Sequence, residues 1–223
     1  MITVCCLKWG SLYKPEQYNI LYSMVLRNLK QPFEFVCFTD DHQGLRPEIR
    51  CCEIPENLPY WWGKVALYKD SIPGVETEKI LFLDTDIVIL RSIDEIADYP
   101  SDFAMARDFP QSKCPARHEK DVNGSVILLK VGARTEIWDH YVRLGMPQMP
   151  IAEAGKKNFR LGGQGIINEF RIPVDQFPDA WVRSYKDNNM AVNGPGDDCR
   201  IAFFHGHPKP WEVEDAWVKE HWV

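Results

Sequence analysis

The first forty residues of this chain run apolar strand, amphipathic helix, apolar strand, and that order restricts the fold more than any other feature. Residues 2–7 read as a buried strand. Pro15 suits the first turn of a helix. Apolar side chains then recur at Tyr18, Leu21, Tyr22, Val25, Leu26 and Leu29, the spacing of a helix with one apolar face. Residues 33–38 form a second apolar run, stopped by Thr39-Asp40-Asp41. A strand–helix–strand unit of this kind builds a parallel sheet, so an α/β fold is predicted. Further strands are predicted at residues 80–83, 103–107, 126–131 and 201–204, and helices at 61–70 and 135–144. Residues 145–165 hold Gly and Pro with little periodicity and predict loops. No repeat or linker divides the 223 residues, which suit one domain.

Composition narrows the function. With 26 Lys and Arg against 32 Asp and Glu, the net charge is −6. Binding to a nucleic-acid backbone calls for a basic surplus, so no nucleic-acid partner is expected. No run of 18 apolar residues offers a transmembrane segment. The N-terminus reads as a strand and not as a signal peptide, and a cytoplasmic protein is expected. The 7 cysteines are odd in number, include two adjacent pairs and lack zinc-site spacing. They are expected to be reduced thiols.

The chemistry is most visible where residues 80–83 run into Asp84-Thr85-Asp86. Side chains alternate along extended backbone, so both carboxylates point the same way if the strand geometry persists. Two like charges so placed repel unless a cation joins them, and hard Mn²⁺ or Mg²⁺ suits such an oxygen site. The plainer alternative is a pair of solvated turn carboxylates. A second segment, His205 to Trp211, also follows an apolar strand. His205 can complete a metal site, Gly206 permits close backbone approach, and Lys209 offers a point charge to a diphosphate. Read alone, this segment is better explained as a Pro-rich surface turn. In open α/β sheets ligands bind outside the carboxyl ends of strands, where these two segments could meet. Asn123-Gly124-Ser125 could hydrogen-bond sugar hydroxyls or form a plain turn. The glycines of residues 161–168 point only to a flexible loop.

Taken in order, these blocks resemble the GT-A nucleotide-sugar glycosyltransferases, nearest the glycogenin-like family 8 branch. The resemblance is carried by Lys8-Trp9, Phe38-Thr39-Asp40, Trp62-Gly63-Lys64, Leu83-Asp84-Thr85-Asp86 and His205-Gly206-x-x-Lys209-Pro210-Trp211, with Asn123-Gly124-Ser125 as a weaker match. It implies a GT-A, Rossmann-like mixed sheet flanked by helices in a single domain. Residues 1–90 would form the nucleotide-binding half. Residues 91–223 would form the acceptor side, closing with the 205–211 loop. It further implies that Asp84, Asp86 and His205 bind Mn²⁺ (or Mg²⁺), and that Gly206 and Lys209 contact the donor diphosphate. Lys8, Trp9 and Asp40 would lie near the nucleoside, Lys64 near the phosphates or donor sugar, and Asn123 and Ser125 near the sugar. The family often has Asp-Gln where this chain has Gly163-Gln164; Gln164 would keep the neighbouring catalytic role.

The implied activity is transfer of a sugar from a nucleoside diphosphate sugar, such as a UDP-sugar, to a hydroxyl of a glycan or other acceptor, with retention. Lys209 and the metal would stabilise the leaving diphosphate. Two rivals stand beside it. One is a haloacid-dehalogenase-like phosphatase, which also places D-x-D after a strand and for which Gly196-Asp197-Asp198 would be the later acidic motif. The other is a non-catalytic sugar-nucleotide or glycan-binding module, suggested by Gly163.

Overall fold

In the computed structural model, residues 1–58, 60–108, 119–145 and 162–223 are described. Seven strands form the main sheet: β1 (Ile2–Lys8), β2 (Phe33–Thr39), β3 (Arg50–Cys52), β4 (Lys79–Leu83), β6 (Phe103–Arg107), β7 (Val122–Lys130) and β8 (Asp175–Gln176). Their order is β3-β2-β1-β4-β7-β6-β8. The first four neighbours run parallel, as the opening strand–helix–strand unit requires. β7 lies antiparallel to both β4 and β6, so the sheet is mixed. A smaller sheet joins β5 (Ile87–Ile89), β10 (Ile201–Phe203) and β9 (Val182–Ser184), in the order β5-β10-β9.

Both faces of the main sheet are covered, which explains why its central strands are apolar throughout. On one face the helix α1 (Pro15–Asn28) buries Tyr18, Leu21, Met24 and Val25 against Val4, Cys6, Leu81 and Leu83. The predicted apolar face is displaced slightly: Leu26 is 53% exposed, and Met24 packs inward in its place. On the same face as α1 the short helix α2 (Asp94–Ala97) buries Ile96 and Ala97. On the other face a 3₁₀ helix (Tyr60–Tyr68) supplies Val65, Ala66, Leu67 and Tyr68, and α3 (Thr135–Arg143) supplies Ile137 and Tyr141.

Two sequence readings are corrected. Residues 163–165 are not loop: a helix spans Gly163–Phe170, called α4 below, while residues 146–161 lie outside the described residues. Glycine is a poor helix former, and this hid the helix from propensity. Gln164 and Asn168, four apart and so on one face, fasten it to β7. Gln164 Oε1 accepts from the Gly124 amide at 2.9 Å. Asn168 exchanges hydrogen bonds with the Val122 amide and carbonyl at 2.9 and 3.2 Å. The second correction concerns β7, which begins at Val122 and not Val126, so Asn123-Gly124-Ser125 is buried strand instead of a turn.

The thiols of Cys5, Cys6, Cys37 and Cys199 are buried, Cys52 is half-buried and Cys51 is exposed; all six are free, and Cys114 lies outside the described residues. Among the described residues no helix is long and apolar enough to cross a membrane.

Candidate active site

The ends of β4 and β10 meet through the short strand β5. After Leu83 the chain leaves the main sheet, yet the Asp84 amide still donates to the Ser125 carbonyl of β7 at 2.9 Å. Thr85 is buried while Asp84 and Asp86 on either side keep partial exposure, so the predicted alternation persists through the motif. Ile87 pairs with Phe203, and the Phe204 amide donates to the Asp86 carbonyl at 2.9 Å. These contacts deliver the His205–Trp211 segment to the Asp86 side of the cleft.

Each carboxylate is met by an ammonium from a different element. Lys64, on the 3₁₀ helix, places Nζ 2.5 Å from Asp84 Oδ1 and donates to the Gly124 carbonyl at 3.2 Å. Lys209 pairs with Asp86 Oδ2, approaches the Phe204 carbonyl at 3.4 Å, and lies 5.7 Å from the centre of the Tyr13 ring. Glu212 fixes the start of the Lys209-Pro210-Trp211 turn by accepting from the Lys209 amide at 2.8 Å. Trp211 packs edge-on against Tyr13, with centroids 5.0 Å apart. Both lysines are therefore aimed by backbone contacts, and neither swings free.

A cavity of about 180 Å³ opens beside these pairs, lined by Leu7, Trp9, Leu12, Tyr13, Tyr18, Trp61, Lys64, Asp84, Thr85 and Asp86. A hollow of about 650 Å³ elsewhere, between Arg134 and Arg171, is larger but lies away from the paired aspartates. The convergence of buried charges, and not volume, marks the candidate site. Tyr13, Thr85 and Trp61 belong to it without having been singled out in sequence. Trp61 alone carried a readable signal, being a tryptophan one position from the Trp62-Gly63-Lys64 block.

Burial, and then the charge of Asp84, hold the Asp86 carboxyl above its ordinary range despite the opposing ammonium of Lys209. Two carboxylates so placed call for further positive charge, and their oxygens are the donor type a hard divalent ion takes. The donor chemistry therefore fits such an ion. Among the described residues, however, no three side chains of ligand type are gathered closely enough to hold one. His205 is the residue not brought in: its Nδ1 lies 3.3 Å from Ser184 Oγ.

The remaining expected contacts divide into two groups. Trp9 and Lys64 line the cleft. Lys8 does not: it is 2% exposed, and Nζ donates to the Asp41 carbonyl at 2.6 Å, so it braces the turn after β2. Asp40 also organises backbone, its two carboxylate oxygens accepting from the Gly10 amide at 2.9 and 3.0 Å. Gly10 has φ 55°, a left-handed conformation open to glycine, and this bond closes the loop that presents Trp9. Asn123 Oδ1 accepts from the Ser125 amide at 2.9 Å, and both side chains are buried in β7. Among the described residues, Gln164 reaches the site through Gly124, whose carbonyl meets Lys64. Gly206 turns the chain after His205 with φ 66°.

No family model matches the chain. Glycogenin of Neurospora crassa is 23% identical over 211 residues, which are 92% of this chain but 27% of that protein, so the chain spans about a quarter of its length. Among solved structures, the galactosyltransferase LgtC in complex with donor and acceptor sugar analogues superposes with a TM-score of 0.67 at 12% identity, over 98% of this chain and 93% of that one. The glycosyltransferase GlyE of Streptococcus pneumoniae TIGR4 gives 0.64 at 14% identity, over 100% and 62%. Mouse xyloside xylosyltransferase 1 gives 0.59 at 15% identity, over 92% and 97%. The phosphatase alternative finds no support in these comparisons, and Asp197-Asp198 lies in a turn that follows no strand. The chain shares the GT-A fold of these solved glycosyltransferases.

Proposed function

We propose that the chain transfers a sugar from a nucleoside diphosphate sugar to a hydroxyl acceptor. The observation that carries this reading is the pairing of two strand-end carboxylates with two lysines from separate elements, in a cleft of the GT-A fold. The galactosyltransferase LgtC and the glycosyltransferase GlyE, both sugar-transferring by name, support the choice of chemistry. A UDP-sugar is the donor expected from the resemblance, and retention the expected outcome.

Asp84 and Asp86 would hold a divalent ion, Mn²⁺ or Mg²⁺, with His205 as the candidate third ligand. When bound, such an ion supplies Lewis-acid stabilisation of the negative charge on the departing diphosphate. Lys209, released from Asp86 in part by the added cation, would donate to the phosphate oxygens as the bond to the sugar breaks. Lys64 would hold Asp84 in place and face the donor from the 3₁₀-helix side. Gln164 would act through Gly124, fixing the carbonyl that orients Lys64. Trp9 and Trp61 offer flat apolar surface to a base or sugar ring. With no carboxylate at position 163, the acceptor hydroxyl would attack from the same face that the diphosphate leaves, without a covalent enzyme intermediate.

A non-catalytic binding module remains the second reading, favoured by one observation: the place of a family aspartate is taken by Gly163, against the Tyr68 ring. One experiment separates the two. The protein is incubated with a panel of nucleotide sugars and MnCl₂, and release of the nucleoside diphosphate is followed with and without saccharide acceptors. Release marks an enzyme. Binding by calorimetry without release marks the module, and neither binding nor release with any donor overturns both.

A further inference from the structure

Lys186 lies two residues beyond β9, outside every motif discussed above. β9 and β10 run parallel with Ser184 opposite Phe203, so the chain leaving β9 continues beside His205 and Gly206. Lys186 Nζ donates to the His205 carbonyl at 2.8 Å. It also lies 3.4 Å from the point a Cβ on Gly206 would occupy. The ammonium therefore rests on the turn that the sequence assigns to the diphosphate. Because β10 is the middle strand of β5-β10-β9, Lys186 approaches that turn from the side opposite Asp86.

The charge balance separates Lys186 from the other two lysines. Lys64 is neutralised by Asp84, and Lys209 by Asp86. Lys186 meets only a neutral carbonyl and forms no ion pair among the described residues. Lys209 Nζ reaches the Phe204 carbonyl at 3.4 Å and Lys186 Nζ the neighbouring His205 carbonyl, so two ammonium groups flank one turn. Like charges drawn to one turn are relieved by an anion between them. An ammonium has three donors, and one is used on the His205 carbonyl, which leaves two for a ligand.

We propose that Lys186 is a second phosphate-binding lysine of the donor site, contacting the terminal phosphate of a nucleoside diphosphate. The assignment rests on the glycosyltransferase reading and adds to it a residue and a direction. Lys209 meets the diphosphate from the Asp86 side, and Lys186 meets it from the β9 side. A compact, hydrated ammonium suits a phosphate oxygen that gains charge as the sugar leaves.

The test compares wild type, Lys186→Met and Lys186→Arg, each titrated by calorimetry with UDP and with UMP in MnCl₂ and followed in thermal unfolding. Lys186→Met is expected to lose about tenfold in UDP affinity, the scale of one charge-assisted hydrogen bond at a half-open site. Its UMP affinity should stay within about twofold and its melting temperature near wild type, since the side chain is exposed. Lys186→Arg should recover part of the UDP affinity by restoring the charge. An unchanged UDP affinity in Lys186→Met would overturn the assignment. So would equal losses for UDP and UMP, which would mean that Lys186 merely props the His205 carbonyl. If wild type binds none of a panel of nucleoside diphosphates that varies the base, the glycosyltransferase reading itself falls and this assignment with it.

Discussion

Gly163 lies so close to Tyr68 that a Cβ at position 163 would sit 2.7 Å from Cε2 of the ring. Tyr68 is 1% exposed and packs edge-on against Phe103, with centroids 5.8 Å apart, so the ring cannot yield. The glycine that opens α4 is therefore a steric necessity, and it is where the chain departs from the Asp-Gln pair of the family it resembles. An alanine in a helix normally gains up to about 1 kcal/mol over glycine. Here Gly163→Ala should instead destabilise by about 1–3 kcal/mol, the usual cost of overpacking a core. Gly163→Asp should cost more. The double variant Tyr68→Ala, Gly163→Asp should be less unstable than the sum of its single changes, because one removes the obstacle to the other. Urea denaturation of the four proteins measures this, and strict additivity would show that the ring is not the obstacle.

Asp86 should be indispensable for metal-dependent nucleotide binding. Asp86→Ala removes one of two oxygen donors and leaves Lys209 without its partner. Calorimetry with UDP, in MnCl₂ and in a chelator, should show the metal-dependent part of the affinity disappear. A full Mn²⁺ effect in Asp86→Ala would remove that residue from the proposed metal site.

Lys209→Ala should slow sugar transfer a hundredfold or more, the scale on which loss of one preorganised donor to a developing charge costs about 2.7–4 kcal/mol. It should also lose stability, because the partner of Lys209 is a largely buried carboxylate with 14% exposure. Breaking such a pair from one side costs about 3 kcal/mol. The sign of its pH dependence follows from Asp86, whose pKa is already raised. Without Lys209 the charged form is worse still, so the deficit should be largest at neutral pH and shrink as Asp86 is protonated. Added Mn²⁺ should stabilise Lys209→Ala more than wild type. Denaturation at two pH values, with and without MnCl₂, reads both effects; a deficit independent of pH would place the lost stability elsewhere.

Asp94 gives a separate pH signature. Its carboxylate accepts from the Lys30 amide at 2.8 Å, the Gln31 amide at 3.3 Å and the Ser92 hydroxyl at 2.6 Å, joining the turn before β2 to the helix at Asp94–Ala97. Burial opposes ionisation, but these hydrogen bonds outweigh it and hold the pKa below the ordinary 3.8. A lowered folded-state pKa supplies stability that is present above the unfolded-state value and is lost as pH falls through the folded-state value. Asp94→Asn should therefore be less stable than wild type at neutral pH, and the gap should narrow in acid. Equal slopes of stability against pH in the two proteins would count against this.

The N-terminal strand–helix–strand unit, the apolar strand before Asp84 and the strand before His205 could be read in the chain because each rests on local periodicity. Burial on both faces leaves β1, β2 and β4 apolar at nearly every position, and α1 keeps one apolar side. The same locality exposed the two carboxylates, since adjacent i and i+2 positions share a side of extended backbone whatever surrounds them. Other features depended on partners distant in sequence. α4 begins with glycines that propensity rejects, and it stands because Gln164 and Asn168 are hydrogen-bonded to β7 while Tyr68 excludes any side chain at 163. Lys8 and Asp40, placed near the nucleoside by resemblance, bond the Asp41 carbonyl and the Gly10 amide, contacts that no spacing in the chain announces. Lys186 has no motif at all and is drawn to His205 by the parallel pairing of β9 with β10. Residue type and spacing decided which groups can ionise, coordinate or donate. Only the packing of elements far apart in the chain decided which of those groups stay available to a ligand, because a polar side chain satisfied by buried backbone has little left to offer.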